Sequence, residues 1–411
     1  MSGLNQTPRA DRVHIALFGK TNAGKSSIIN AVTGQDLALV SHVKGTTTDP
    51  VYKAMELLPL GPVVLIDTAG LDDVSELGEL RRKKTIEVLN KTDIALLIMD
   101  GTMGVTDYDE DILEQIKAKK IPVIAVINKT DLSEFPKEKI NELQKKFKCK
   151  VIATSANSKK GINELKEALA KSVPEEEDKF KIVGDLISPG DFVVLVTPID
   201  KAAPKGRLIL PQQQTIRDIL ESDAIAIVTK EYELRETLEN LGKKPKMVIT
   251  DSQAFLKVSA DTPQDILMTS FSILLARTKG DLSELVRGAK AIEKLKDGDK
   301  ILISEGCTHH RQSDDIGTVK IPRWIRQITG KQIEFEYTSG MSFPEDVKKY
   351  ALIVHCAGCM LNRTGMMHRI DQAEEMQVPI VNYGVLIAYV HGILDRALKP
   401  FPLAQMAWEE E

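Results

Sequence analysis

A chain of 411 residues with 42% hydrophobic and 28% charged residues is long enough for two to four domains with their own cores, and its composition excludes a disordered polymer. Its 55 basic and 59 acidic residues leave a net charge of −4, which argues against a surface built to neutralise many phosphates, so nucleic acid is not an expected partner. Four cysteines are too few for a disulfide scaffold, the N-terminal MSGLNQTPRADR lacks a signal-like apolar stretch, and no apolar run reaches the roughly 18 residues of a membrane span; a cytoplasmic protein with no membrane partner is expected.

The first predicted elements are the strands VHIALFG, VVLIDTAG, IALLIMDG, IPVIAVINK and KVIATSA, alternating with helical patterns to about residue 172. That alternation predicts a parallel sheet covered on both faces, a first domain over 10–172. Pro174, Glu175, Glu176, Glu177 and Asp178 repel one another and read as a linker. A second, smaller α/β unit is expected over 180–265, with strands DFVVLVTPI, GRLILP, AIAIVTK and KMVIT and helices QQQTIRDILES and YELRETLENLG. A helix within PQDILMTSFSILLARTKG then leads into the strands ILISEG, QIEFEYTSG, YALIVH and VPIVNYG, a third unit over 270–411. The predicted fold class is α/β, in three α/β domains.

Gly19-Lys20-Thr21-Asn22-Ala23-Gly24-Lys25-Ser26 fits the pattern G-x-x-x-x-G-K-[ST] between the strand HIALF and the apolar helical stretch SSIINAVTG, the context a phosphate-binding loop requires. Its glycines let backbone N–H groups face phosphate, which gives Gly19, Asn22, Ala23, Gly24, Lys25, Ser26 and Ser27 as the loop's binding set. Lys25 is expected to reach the β and γ phosphates and Ser26 to hold magnesium. Asp67-Thr68-Ala69-Gly70 places Asp67 near that metal and the Gly70 backbone near the γ-phosphate. In the loop Gly45-Thr46-Thr47-Thr48-Asp49, Thr47 is the expected third magnesium ligand. Asn128-Lys129-Thr130-Asp131 selects the base, because the Asp131 carboxylate can accept two hydrogen bonds from guanine and adenine offers no such pair. Ser155-Ala156-Asn157 would meet guanine from the other side. The first unit is therefore expected to have a P-loop GTPase fold, with the others as smaller parallel-sheet units.

GxxNAGKSS, GTT, DTAG, NKTD and SAN together resemble the Era and TrmE branch of translation-factor-like GTPases over residues 13 to about 170. In that branch the residue after DTAG is apolar, as Leu71 is here, and no side chain there orients water. The resemblance also implies that Asn22 could help to bind potassium. Thr48 stands where the branch commonly has arginine. Slow, regulatory hydrolysis follows, with a partner, a dimer or potassium as the accelerator.

Cys307-Thr308-His309-His310 follows ILISEG, and His355-Cys356-Ala357-Gly358-Cys359 follows ALIV. Strand C-termini of a parallel sheet open on one edge, so groups 49 positions apart can converge there. The C-x-x-C spacing lets Cys356 and Cys359 clasp one metal centre. An iron–sulfur cluster, a structural zinc on Cys307, His309, Cys356 and Cys359, or a redox dithiol each satisfies this pattern. Spacing alone does not choose between His309 and the other histidines His310, His355 and His368. Cys149 is expected to pack beside the first unit's last strand.

C-x-H, followed 46 positions later by H-C-x-x-C, downstream of an Era-like domain and a smaller α/β domain, resembles the FeFe-hydrogenase maturation GTPase family, HydF, over essentially the whole chain. That resemblance implies a 4Fe-4S cluster on Cys307, Cys356 and Cys359, with His309 as candidate fourth ligand. It also implies a dimerising middle domain, a di-iron precursor as cargo received from radical-SAM maturation enzymes, and delivery to apo FeFe-hydrogenase. The alternative is an Era-like RNA- or ribosome-associated GTPase with a C-terminal structural zinc site.

Overall fold

The computed structural model describes residues 7–34, 50–68, 78–133, 135–173, 181–199, 208–306, 315–340 and 342–410. The chain divides into two compact units, Met1–Glu177 and Asp178–Glu411.

The first unit is built on a six-stranded sheet of β1 (Val13–Phe18), β2 (Val51–Leu57), β3 (Gly61–Asp67), β4 (Ile94–Asp100), β5 (Val123–Asn128) and β6 (Lys150–Ala153), in the order β2-β3-β1-β4-β5-β6. All neighbours are parallel except β2, an edge strand antiparallel to β3. Side chains alternate between faces along a strand. Accordingly Ile15, Leu17, Ile94, Leu96 and Ile98 enter one core, while Ala16, Phe18, Ala95, Leu97 and Met99 enter the other. Burial on both sides is why these strands read as continuous apolar runs, each large side chain contributing about 1.5–3 kcal/mol. Half-buried Cys149 packs against the second of these cores just before β6.

In the second unit two four-stranded parallel sheets share one hydrophobic core running from Val183 to Ala404. One comprises β7 (Phe192–Val196), β8 (Ile225–Thr229), β9 (Met247–Thr250) and β10 (Leu267–Ser270), in the order β10-β9-β7-β8. The other comprises β11 (Lys300–Glu305), β12 (Glu334–Ser339), β13 (Leu352–His355) and β14 (Ile380–Asn382), in the order β12-β11-β13-β14.

Two elements differ from their sequence expectation. Leu210 of GRLILP opens the helix Leu210–Glu221, whose first turn holds Pro211, where a missing N–H costs nothing. Leu267–Ser270, expected to be helical, is the strand β10; Ser270 ends it by turning its hydroxyl to accept from the N–H of Ile273 and capping the helix Phe271–Lys279. Among the described residues no helix is long and apolar enough to cross a membrane.

Candidate nucleotide site and cysteine site

In the first unit's sheet and in the sheet of β11–β14 the chain reverses its winding direction next to a central strand, β1 in one and β11 in the other, and such switch points open a crevice at the strands' C-terminal edge. After β1 comes the glycine-rich loop. Gly19 has φ 144° and Gly24 φ 95°, and added Cβ atoms would lie 2.1 Å from the Ile98 carbonyl oxygen and 2.3 Å from Asn128 Nδ2. Only glycine lets the loop lie this close to β4 and β5. Asn22 is also left-handed, at φ 66°.

The loop leads into the helix Lys25–Thr33, with Ser27 half-buried in its first turn. Buried Lys25 folds across the loop, its Nζ donating to the carbonyls of Gly19 and, at 3.0 Å, Lys20. Ser26 Oγ donates to Oδ2 of Asp67, at the end of β3, at 2.7 Å. A hydroxyl and a carboxylate are thus paired beside the phosphate loop, the donor set that magnesium takes in such sites.

The segment after β5 is tied to the same loop. Asn128 Nδ2 donates to the Ala23 carbonyl at 3.1 Å, while its Oδ1 accepts from the N–H of Ala156 at 3.1 Å. One amide therefore joins the phosphate loop to the segment after β6. Thr130 donates through N–H and hydroxyl to the Thr154 carbonyl at 3.1 and 2.9 Å. Lys129, left-handed at φ 64°, reaches Asp100 Oδ2 at 2.7 Å. Exposed Asp131 has its carboxyl held below the usual range, first by the hydroxyl of buried Ser155 and to a lesser degree by the side chain of exposed Asn157. Asp100 was missed by sequence reasoning; the signal was its place at a strand end facing the lysine of NKTD. Thr47, Gly70 and Leu71 lie outside the described residues.

At the other switch point, the register pairs Ser304 of β11 with His355 of β13, and His355 with Asn382 of β14. Cys356 follows directly. Its N–H donates to the Ser304 carbonyl at 3.0 Å, and its Sγ accepts from the N–H groups of Gly306 at 3.1 Å and Gly358 at 3.3 Å. Gly358, at φ 65°, makes the turn toward half-buried Cys359. Burial pushes the Cys356 thiol up to about 11, against the pull of those two N–H groups. The two N–H groups favour the thiolate form of this half-buried cysteine, the form a bound metal centre would draw out by deprotonating it.

His355 is fully buried and is engaged at both ring nitrogens, with Nδ1 2.7 Å from the Cys356 carbonyl and Nε2 2.8 Å from Arg369 Nη1. A guanidinium can only donate, so Nε2 accepts and Nδ1 carries the proton. Burial, and then the Arg369 charge, pushes this imidazole down to about 3, so it is neutral. Arg369 and Asn382, whose Nδ2 donates to the Cys356 carbonyl at 3.4 Å, carried no motif in the sequence. Cys307, His309 and His310 lie outside the described residues, among which no three His, Cys, Asp or Glu side chains gather as a metal site.

Comparison with known proteins gives three successive matches. A GTPase family model, described as 50S ribosome-binding GTPase, matches residues 14–129. The hydrogen maturase F dimerization domain matches 182–280 and the hydrogen maturase F tetramerization domain 283–400, together more than half of the chain. The chain belongs to the hydrogen maturase F family. It combines an N-terminal GTPase domain with the two association domains of that family.

Curated relatives match the GTPase portion. GTPase Der of Kosmotoga olearia is 34% identical over 170 residues, 39% of this chain and 38% of that protein. The tRNA modification GTPase MnmE of Nitrosomonas eutropha is 33% identical over 162 residues, 39% of this chain and 35% of that protein. The chain thus spans less than two fifths of these relatives. Among solved structures, Era in complex with MgGDPNP and a segment of 16S ribosomal RNA is 22% identical, with a TM-score of 0.37, covering 56% of this chain and 98% of that one.

Proposed function

We propose that this chain is a GTP-hydrolysing scaffold that holds a 4Fe-4S cluster on Cys307, Cys356 and Cys359, accepts a di-iron precursor, and delivers it to apo FeFe-hydrogenase. The observation that carries this reading, in a member of the hydrogen maturase F family, is the hydrogen bond across the second switch point. Gly306, covalently joined to Cys307, donates its N–H to the sulfur of Cys356. The residue before Cys307 and the sulfur of Cys356, 50 positions apart in sequence, thereby meet at one sheet edge.

The donor set fits such a cluster: Cys356 and Cys359 are half-buried, and hydrogen bonds from backbone N–H groups to a ligand sulfur, as Cys356 receives, are among the features that tune iron–sulfur centres. When bound, the cluster supplies an iron with an exchangeable fourth position, for which His309 is the proposed ligand. Gly306 and Gly358 stabilise the thiolate of Cys356. The Arg369–His355–Asn382 network fixes the Cys356 peptide, so its sulfur keeps one direction.

In the first domain, proposed over 10–172, GTP would lie on Gly19, Asn22, Ala23, Gly24, Lys25, Ser26 and Ser27, with magnesium on Ser26, Asp67 and Thr47. Gly70 would sense the γ-phosphate. Asp131, flanked by Lys129, Ser155, Ala156 and Asn157, would read guanine, and Asn128 would hold the two halves of the site together. With Leu71 after DTAG, the residue at that position cannot orient water, and on this reading hydrolysis is slow and regulatory; Asn22 is the proposed point of stimulation by potassium. The middle domain, proposed over 180–265, forms a homodimer through edge strand β8, where Ile225 and Val228 are 43% and 47% exposed. The domain over 270–411 carries the cluster, and radical-SAM maturation enzymes supply the precursor.

The test is metal loading under anaerobic conditions. The wild-type chain should take up about four irons per chain with a cluster absorption spectrum. Cys356→Ser should lose most of that iron. Iron content unchanged by the substitution defeats the reading, and zinc in place of iron in protein purified without air would replace it with a structural zinc site.

A further inference from the structure

We infer that Arg369 is a positioning residue of the cysteine site, one that locks the strand ends around Cys356 and places a fixed positive charge there that favours the reduced state of a bound cluster. This rests on the cluster reading above.

Arg369 lies in the helix Arg363–Glu375 and is 3% exposed. Its Nη1 donates to His355 Nε2 at 2.8 Å and to Ser304 Oγ at 3.3 Å, and its Nη2 to the Gly340 carbonyl at 3.3 Å. The guanidinium lies over the ring of Phe343, 5.0 Å from its centroid. One side chain thus joins the end of β11, the end of β13 and the residue after β12. Those strand ends border the cysteine segments. A planar fork can serve three acceptors in different directions, which a lysine ammonium at the end of a flexible stem does poorly.

The contact to His355 is directional. Because the guanidinium donates to Nε2, the ring proton sits on Nδ1 and is given to the carbonyl of Cys356. Arg369 therefore orients the Cys356 peptide through the ring. It also takes His355 out of service as a ligand, since a metal would have to displace the guanidinium from Nε2.

The charge has a separate effect. Reducing a cluster adds one negative charge, and in a poorly solvated site a nearby fixed cation stabilises that state more than it would in water. Net charge and burial are among the levers that set iron–sulfur potentials. A hydrogen-bonding tie alone would not need a cation, and burying one is costly.

The experiment uses the full-length chain, reconstituted anaerobically with iron and sulfide, as wild type, Arg369→Lys, Arg369→Gln and Arg369→Met. Iron per chain, thermal unfolding and a potentiometric titration followed by EPR are measured on each. At the wild-type midpoint potential, the ratio of reduced to oxidised cluster should fall about tenfold in the two neutral variants, a shift of about 59 mV for one electron, and much less in Arg369→Lys. A merely structural role would lower iron loading or the unfolding temperature and leave the midpoint of the loaded fraction in place. A neutral variant that loads its cluster and titrates at the wild-type midpoint overturns the inference. So does failure of both neutral variants to fold, which would reduce Arg369 to a packing element. A wild-type chain that binds no iron sinks the cluster reading itself, a different and recognisable outcome.

Discussion

Arg369 Nη1 lies 2.8 Å from Nε2 of His355, and the opposite nitrogen of that ring lies 2.7 Å from the carbonyl of Cys356. From spacing alone His355 was one of several histidines near the cysteines. Its two nitrogens are both occupied by protein groups, so its role is to hold the backbone of a cysteine.

His355→Phe keeps the ring's bulk and removes both nitrogens. It leaves a buried guanidinium without one acceptor and takes from the Cys356 carbonyl the shorter of its two donors, leaving Asn382 Nδ2 at 3.4 Å, at a cost of about 3 kcal/mol. The urea midpoint of the second unit's transition should fall accordingly. An unchanged midpoint would mean that the ring is only filler.

Gly24→Ala tests the cradle of the phosphate loop. The new Cβ would sit 2.3 Å from Asn128 Nδ2 at a φ of 95°, so the loop must move or Asn128 must release Ala23. Left-handed strain of about 1–2 kcal/mol adds to the clash. GTP affinity, read by isothermal titration, should drop at least about tenfold. Wild-type affinity would show that the loop has slack that this geometry does not suggest.

Asp100→Asn removes the carboxylate that receives Lys129 Nζ at 2.7 Å. The pair is only partly exposed, so its loss should cost about 1–1.5 kcal/mol of the order that holds the NKTD segment. That corresponds to a roughly fivefold to tenfold loss of guanine-nucleotide affinity. The discriminating comparison is GTP against ATP: binding of both should remain ordered in favour of GTP, because Asp131 is untouched.

Ile225→Lys and Val228→Lys place charges on the outer strand β8, where the native side chains are exposed. Charge on a sheet edge opposes strand pairing between chains. Sedimentation velocity should show less dimer at equal concentration, with the unfolding temperature of dilute protein nearly unchanged. Undiminished dimer would move the contact to another surface.

The alternating apolar runs made the first unit legible, because strands buried on both faces must be apolar throughout; Ile15 and Ala16 enter different cores and could not be polar. The stretch over 180–265 was less legible. GRLILP carries the β-branched, apolar character of a strand, yet Leu210 and Pro211 open a helix, because proline suits a helix start and the shared core takes the helix's apolar face. Edge strand β2 escaped notice, since only one of its seven residues is buried and its composition is mixed.

What the sequence determined by itself was local chemistry: a glycine-rich turn before Lys25 and Ser26, an asparagine and an aspartate in NKTD, and two cysteines in C-x-x-C. Each follows from covalent order and backbone freedom within a few residues. Only the tertiary structure decided which distant groups complete those sites. Asp100 reaches Lys129, Asn128 reaches Ala23, Gly306 reaches Cys356, and Arg369 reaches His355. These contacts depend on strand order and register, which are set by burying the whole sheet at once and leave no mark on neighbouring residues in the chain.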